Sequence, residues 1–253
     1  IGVDCKGRNL SRSGTLELVT VFVPPPTTTI FVFDVPALGG AANSALKDLL
    51  SNEQLIKCMY DCRNDADALM CAPTVCNRVE LQGVIDTSVV GILARHAKFG
   101  TRSDRFASID NTFKDFCGNN VTLEFEIAKG NWQLDMQKFT MTNVGNVECN
   151  CKLGRINLQQ FKADMNGRMQ SDTQRQIWTR RPLNDNDLAY AGLNALMAYA
   201  IWNSETTGQP GFASQWTRIK SGSRFMKDVY SVYNEPRATS ASVPTGLYRA
   251  MGI

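Results

Sequence analysis

The sequence predicts a domain of the α/β class, and three observations support this prediction. The chain has 253 residues, of which 43% are hydrophobic and 20% are charged, a composition typical of a globular protein with one α/β domain or two small ones. Three strand patterns follow one another before residue 36. From residue 41 onward, helix and strand patterns alternate. The early run of three strands argues against a Rossmann domain.

The N-terminal strands are predicted from their apolar patterns. Residues 1–6 alternate and end at Gly7, and residues 15–23 form a second strand that we expect to pair with the first. After a stiff connector rich in Pro and Thr, an apolar run at residues 30–35 suits the centre of a sheet. Alternation along the first strand places Asp4 and Lys6 on one face.

The next part of the chain predicts alternating helices and strands. We expect helices at residues 41–50, 64–70, 88–97 and 105–117, and strands at residues 54–60 and 81–85. Asp65 and Asp67 lie in the first turn of the second helix, where negative charge suits the helix dipole. Asp86 and Thr87 form a good cap for the third helix.

Residues 118–154 have a different composition and are predicted to be a β-rich insertion. Strand patterns at residues 121–127 and 132–141 flank Gly130 and Asn131, a plausible hairpin turn. Further helices are expected at residues 156–169, 172–178, 185–202 and 218–233, and the tail from residue 234 is expected to be extended or mobile. The predicted organisation is a domain at 1–204, followed by a C-terminal helical extension and tail at 205–253.

Charge and cysteine content place weak limits on function. A net charge of +3 is compatible with a polyanionic partner without requiring one. Eight cysteines at no repeated spacing and a single histidine, His96, give little support to a zinc site. We expect reduced thiols and an intracellular, reducing compartment, with metal or disulfide use left open. No apolar run is long enough to span a bilayer, so no membrane partner is expected.

Six short motifs carry a resemblance to a known family. They are GVDCKG (2–7), FDV (33–35), KCMYDCRNDADAL (57–69), DTS (86–88), WTRRPL (178–183) and YAGLN (190–194). In order and spacing they resemble the RNase D branch of the DEDD (DEDDy-type) 3′-5′ exonucleases, closest to the Egalitarian-like subgroup, which includes degenerate nucleases. The resemblance covers most of residues 1–204 outside the insertion. It implies an RNase H-like fold, a mixed sheet flanked by helices.

The resemblance also implies a site with two departures from the family pattern. In the family, four carboxylates hold two divalent metals, Mg²⁺ or Mn²⁺, and a tyrosine four residues before the last carboxylate orients the attacking water. Asp4 matches the first carboxylate, Asp65 the third and Tyr190 the tyrosine. Lys6 stands where the family has Glu, and Asn194 stands where it has the final Asp.

These departures predict a site without catalysis. They change the charge of the four positions from −4 to −1, and a single charge pair near a protein surface is worth about 4 kcal/mol. Lys6 pairing with Asp4 or Asp65 would stand in for a metal and leave Tyr190 vestigial. We therefore expect no cofactor, with Asp4 and Asp65 the ligands if any metal binds, and Mg²⁺ or Mn²⁺ if the enzyme is active.

Four other acids lie close to these motifs in the sequence. Asp34 and Asp61 are possible substitute ligands, but the simpler expectation is that Asp61 and Asp67 are solvated or capping residues. Asp34 and Asp86 are expected to form a turn and a cap.

Basic residues near the motifs are candidates for contact with nucleic acid. The set comprises Arg8, Arg12, Arg63, Arg180 and Arg181, with a sparser basic group at Arg218, Lys220, Arg224 and Lys227 that equally fits an ordinary amphipathic surface. Neutralising phosphates with such residues gives salt-dependent, sequence-tolerant binding. Trp132 or Trp178 would add stacking on single-stranded RNA. The ordinary alternative is that Trp132 packs within the insertion and Trp178 within the core, and we favour this alternative for Trp178.

The sequence thus predicts a catalytically degenerate exonuclease-like domain that binds RNA or acts as a scaffold in an RNA-processing ribonucleoprotein assembly, with protein partners. One alternative is an active metal-dependent 3′-5′ exoribonuclease. A second is a protein-interaction module without nucleic acid, whose insertion and tail supply the interface.

Overall fold

The structure is a computed structural model of the chain. It describes residues 1–24, 29–38, 40–71, 78–117, 122–124, 126–128, 131–133, 140–144, 155–157, 161–165, 176–208, 212–228, 242–244 and 246–253.

Ten strands form the sheets of the described part of the chain. They are β1 Gly2–Lys6, β2 Leu18–Val23, β3 Thr29–Asp34, β4 Lys57–Met59, β5 Val84–Asp86, β6 Thr122–Glu124, β7 Glu126–Ala128, β8 Asn131–Gln133, β9 Thr140–Val144 and β10 Arg155–Asn157. The main sheet has the order β5-β4-β1-β2-β3-β9. β2 is antiparallel to both β1 and β3, whereas β4, β5 and β9 pair in parallel with their neighbours. The sheet is therefore mixed, and the predicted pairing of the first two strands is confirmed.

Helices flank this sheet and confirm the α/β class. They are α1 Gly40–Ser51, α2 Arg63–Cys71, α3 Thr87–Phe99, α4 Ile109–Cys117, α5 (161–165), α6 Asp185–Gly208, α7 Phe212–Asp228 and α8 Leu247–Met251, with short 3-10 turns at Val35–Ala37 and Gln176–Thr179. Two hydrophobic clusters follow the alternation of the strands. Val19 and Val21 of β2 belong to one cluster, and Leu18 and Phe22 belong to the other, which α6 completes.

Several predicted boundaries are too wide. The two strands predicted at residues 54–60 and 81–85 shrink to β4 and β5. α4 begins at Ile109 rather than near residue 105, because the backbone of Arg105 forms an isolated β-bridge with Ser242. Long-range pairing here overrides a local helix pattern.

The β-rich region at 118–154 is less separate from the fold than predicted. β7 and β8 form the expected hairpin, with Ala128 opposite Asn131. β9, however, pairs in parallel with β3 and becomes the edge strand of the main sheet. Residues 155–157 form strand β10 against β6, so the helix predicted from residue 156 is wrong at its start. Residues 161–165 are helical, as expected.

The last residues of the chain fold into the core. α8 contacts α7, and Leu247 and Met251 are 0% and 2% exposed. The Tyr248 hydroxyl donates to the Ser103 carbonyl at 2.8 Å, which fixes α8 to the loop after α3. The expectation of an extended tail is therefore wrong for residues 247–251, because their apolar side chains join the hydrophobic cluster that also contains Val3.

Candidate functional site

β1 and α6 meet at close range and build the centre of the site. On β1, Val3 and Cys5 enter one hydrophobic cluster, so Asp4 and Lys6 face the opposite side, where α6 packs. Gly2 permits this approach: a Cβ there would lie 1.9 Å from the carbonyl oxygen of Ala195. The first and last motifs of the sequence are thereby brought together.

Lys6 points into the site and pairs with Asp4. Its Nζ lies 2.7 Å from Asp4 Oδ2, and its side chain is 11% exposed. The ammonium also lies 5.6 Å from the ring centroid of Tyr190 and 6.0 Å from that of Trp178. Burial is the largest single effect and would lower the pKa of Lys6, but the charge and hydrogen bond of Asp4 together with the effects of Tyr190 and Asp65 outweigh it, and the pKa is raised. Lys6 therefore remains a cation.

Asn194 connects this pair to a second ammonium that the sequence did not reveal. Its Nδ2 lies 3.5 Å from Asp4 Oδ1 as donor, and its Oδ1 accepts from Lys162 Nζ at 2.8 Å. Lys162, on α5, also pairs with Asp110 Oδ1 at 2.8 Å and is 4% exposed. Burial lowers the pKa of Lys162, and the charge of Asp110 opposes that shift. A chain of polar contacts thus runs from Asp110 to Lys6.

Lys162 escaped sequence analysis because it belongs to no motif. The only signal is its position one residue after Phe161 and three before Met165, two apolar residues that turn out to be buried. A lysine on the apolar side of a helix pattern is a weak sign of a buried ammonium. Only the topology shows that it faces α6.

Asp65 occupies the site as a buried carboxyl beside Asp4. Its Oδ1 accepts a hydrogen bond from the backbone N–H of Cys5 at 2.9 Å, and the residue is 7% exposed. Burial first, and the negative charge of Asp4 second, raise the pKa of Asp65 to about 8. At neutral pH Asp65 is therefore largely protonated and adds little negative charge.

This raised pKa predicts a pH-dependent stability. The pKa of Asp65 is about 8 when folded and about 3.9 in an unfolded chain, so the folded state holds the proton more tightly. The stabilisation is complete below about pH 4 and is lost as pH rises through about 8. Asp65→Asn keeps the acceptor for Cys5 and should flatten the fall in unfolding free energy between about pH 5 and pH 8, measured by urea denaturation at several pH values.

The control for this prediction is Asp48→Asn, at an exposed position on α1. This variant should keep the decline seen in the unmodified protein. An Asp65→Asn profile that follows the unmodified protein across the whole range would contradict the assignment.

Three of the four other acids near the motifs are each paired with an arginine. The pairs are Asp34 Oδ1 with Arg181 Nη2 at 2.9 Å, Asp61 Oδ2 with Arg63 Nη2 at 2.7 Å, and Asp67 Oδ1 with Arg12 Nη2 at 2.7 Å. The expectation that Asp61 and Asp67 are solvated or capping residues is therefore wrong for Asp67, whose buried carboxylate matches the guanidinium fork of Arg12. Asp34 is more than a turn former for the same reason. Asp61 also makes a capping contact, because its carboxylate accepts from the backbone N–H of Arg63, the first residue of α2.

The expected cap at Asp86 is confirmed. Its carboxylate accepts from the backbone N–H of Ser88 at 2.9 Å at the start of α3. The buried carboxylate also accepts from the backbone N–H groups of Asp61 and Cys62, and so it fixes the loop before α2.

The five candidate RNA-binding arginines differ in accessibility. Arg63 is 2% exposed and lies 5.2 Å from the ring of Phe106, so it is a structural residue rather than a surface contact. Arg12 and Arg181 are 46% and 29% exposed, and both are ion-paired with carboxylates. Arg8 and Arg180 are exposed. The prediction that Arg63 contacts RNA is therefore wrong, whereas RNA contact by the other four arginines stays a prediction.

The two tryptophans considered for stacking have different outcomes. Trp178 is 2% exposed and stacks on Tyr190, with ring centroids 6.2 Å apart at 17°. It is a core residue, as we favoured, and cannot present a face to an RNA base. The side chain of Trp132 lies outside the described part of the structure.

In the sparser basic group, Lys220 lies over Trp216 and Lys227 pairs with Asp228 at 3.1 Å.

The residues present do not fit two divalent cations. Among the described residues, no cluster of three His, Cys, Asp or Glu side chains is placed to hold a metal ion. Ammonium groups instead lie 2.7 Å from Asp4 Oδ2 and 2.8 Å from Asn194 Oδ1, the oxygens at the matched ligand positions. In this arrangement the ammonium groups of Lys6 and Lys162 take the oxygens that a metal ion would need, and the carboxylates of Asp4 and Asp110 neutralise them.

The described cysteines are unpaired, and the membrane search is negative. Cys5, Cys58, Cys62, Cys71 and Cys117 are free thiols. The other three cysteines, for which metal or disulfide use was left open, are Cys76, Cys149 and Cys151, and they lie outside the described residues. In the ranges that the structure describes, no helix has the length and hydropathy needed to cross a membrane.

Comparisons with known proteins add no relative. Neither the models of protein families nor the curated proteins contain a match to this chain.

Proposed function

We propose that this chain is a catalytically degenerate 3′-5′ exonuclease-like domain that binds single-stranded RNA, or acts as a scaffold, in an RNA-processing ribonucleoprotein assembly. The observation that carries the proposal is the contact of 2.7 Å between Lys6 Nζ and Asp4 Oδ2. An ammonium at contact distance from the first matched carboxylate competes with a divalent cation for the same oxygen. An intracellular, reducing compartment and protein partners belong to the same proposal.

The fold supports this proposal. A mixed sheet with β1 between an antiparallel and a parallel neighbour, flanked by helices, is compatible with an RNase H-like, 3′-5′ exonuclease fold. The motif residues also converge: Asn194 contacts Asp4 across 190 positions of sequence. Such convergence is expected if the motifs mark one inherited site.

Four exposed or half-exposed arginines supply the RNA contact in this proposal. Arg8 and Arg12 lie in the loop after β1, and Arg180 and Arg181 lie in the turn before α6; we call these four the basic rim. The two segments meet at one end of the sheet, because Glu17 donates its N–H to the Lys6 carbonyl at 2.8 Å and lies 3.6 Å from Arg181. Phosphates held there would pass the mouth of the site.

The enzymatic part of the proposal is tested with a 3′-labelled single-stranded RNA. We expect no 3′ trimming by the unmodified chain with Mg²⁺ or Mn²⁺, under conditions where an active exonuclease degrades the same RNA. Trimming that Asp4→Ala abolishes would reject the proposal and favour the active enzyme.

The RNA part is tested by removing charges from the basic rim. Arg8→Ala combined with Arg180→Ala should weaken RNA binding and reduce the slope of log K against log salt by about 2, since each phosphate contact contributes about 1. The measurement is filter binding at four salt concentrations. The control is the combination of Lys47→Ala and Lys98→Ala, which removes the same charge from α1 and the last turn of α3.

Two results would contradict this expectation. Equal slopes for the rim and control variants would show that the basic rim is not the contact surface. Failure of the unmodified chain to bind RNA at low salt would reject the RNA role, leaving the protein-interaction module as the remaining alternative.

A further inference from the structure

The two ammonium groups of the site lie on opposite sides of Asn194. Lys6 reaches it through Asp4, whereas Lys162 donates directly to Asn194 Oδ1 at 2.8 Å. Lys6 and Asn194 occupy positions of the family pattern, but Lys162 belongs to no motif. Its effect on the site is therefore independent of the two departures visible in the sequence.

Lys162 is held in place by its surroundings. Its side chain is 4% exposed, and its Nζ contacts Asp110 Oδ1 at 2.8 Å and Met197 Sδ at 3.7 Å. The ring centroid of Tyr190 lies 5.6 Å from the same atom. An exposed lysine would swing into solvent when a cation approached, whereas Lys162 is buried and ion-paired with Asp110.

The position of Lys162 conflicts with a metal ligand at residue 194. A Mg²⁺ ion takes its oxygen ligands at about 2.0–2.1 Å, and Lys162 Nζ lies 2.8 Å from the oxygen that would serve. A carboxylate at this position has a second oxygen, but the ammonium would still be within about 5 Å of the ion, where like charges repel strongly in a buried site.

We propose that Lys162 is a second, independent barrier to divalent metal binding, so that restoring carboxylates at positions 6 and 194 alone does not rebuild a two-metal site. This inference rests on the proposed function, because it takes the site to descend from a metal-binding one. It assigns to Lys162 the role of a positioning residue that holds Asn194 and excludes a cation.

The test compares Mn²⁺ binding by three variants, measured by isothermal titration calorimetry. The first combines Lys6→Glu and Asn194→Asp. The second adds Lys162→Gln, which removes the charge but keeps an N–H donor. The third adds Lys162→Arg instead, which keeps the charge. We expect the Gln variant to bind Mn²⁺ at least about tenfold more tightly than the other two.

Two results for Mn²⁺ affinity would overturn the inference about Lys162. Equal Mn²⁺ affinity in the variants with Lys and Gln at this position, or no binding by the Gln variant, would overturn the inference. Thermal unfolding followed by circular dichroism confirms that each variant is folded, and Lys162→Met replaces Lys162→Gln if the latter does not fold. The proposed function fails on a different result, trimming of RNA by the unmodified chain, so the two failures are distinguishable.

Discussion

Replacing Asp4 with alanine is expected to lower the free energy of unfolding by about 3–5 kcal/mol, because it leaves a buried charge without its partner. The charge is that of Lys6, which is 11% exposed and 2.7 Å from Asp4. In a metal site crowded with carboxylates, removing one acid relieves like-charge repulsion, so the opposite sign would be expected there. Urea denaturation at neutral pH without added divalent ions gives the change directly.

The matched control is an ion pair at the surface. Asp115 lies 3.1 Å from Arg95, and the two side chains are 59% and 36% exposed. Asp115→Ala should cost about 1 kcal/mol or less, as is usual for exposed pairs. A loss for Asp4→Ala no larger than that of the control would show that the Lys6 pair does not hold the site together. Combining Asp4→Ala with Lys6→Met should recover most of the loss, because no unpaired charge then remains.

Replacing Gly2 with alanine should destabilise the protein by about 3 kcal/mol or more, since the new Cβ collides with backbone rather than with a side chain. The colliding atoms are the carbonyl oxygen and carbon of Ala195, at 1.9 Å and 2.7 Å from the Cβ position. β1 and α6 would have to separate, which also draws Asp4 away from Asn194. The fall in unfolding free energy is measurable by urea denaturation.

Gly100→Ala distinguishes this collision from the loss of a glycine as such. Gly100 ends α3 with φ +66°, and a Cβ there meets nothing within 4 Å. Alanine in that left-handed conformation should cost only about 1 kcal/mol. Similar losses at both glycines would mean that β1 and α6 adjust to the added methyl group, contrary to the prediction for Gly2.

The sequence predicted the parts of the fold that depend on local pattern. The alternation of β1 was enough to place Asp4 and Lys6 on one face, and the structure puts that face against α6. The spacing of Tyr190 and Asn194, one helical turn apart, was enough to place both on the side of α6 that faces the site. These relations follow from the periods of a strand and a helix, which need no knowledge of distant residues.

What escaped prediction depends on contacts between distant segments. Lys162 became part of the site because α5 packs beside α6, and no local pattern encodes that. The pairing of Arg181 with Asp34 joins residues 147 positions apart. A charged residue looks the same in sequence whether it meets solvent or a counterion. β9 likewise joined the sheet through pairing with β3, which a short alternating segment does not specify.

The place of α8 in the same hydrophobic cluster as β1 has a consequence for biosynthesis. Val3 and Cys5 share a hydrophobic core with Leu247 and Met251, although a ribosome makes the two groups at opposite ends of this sequence. At about 5–20 residues per second, the first strand waits on the order of 10–50 s for the last helix of this cluster. Until then the cluster is incomplete, and the apolar surface that α8 buries is exposed on the nascent chain, where a chaperone can bind it.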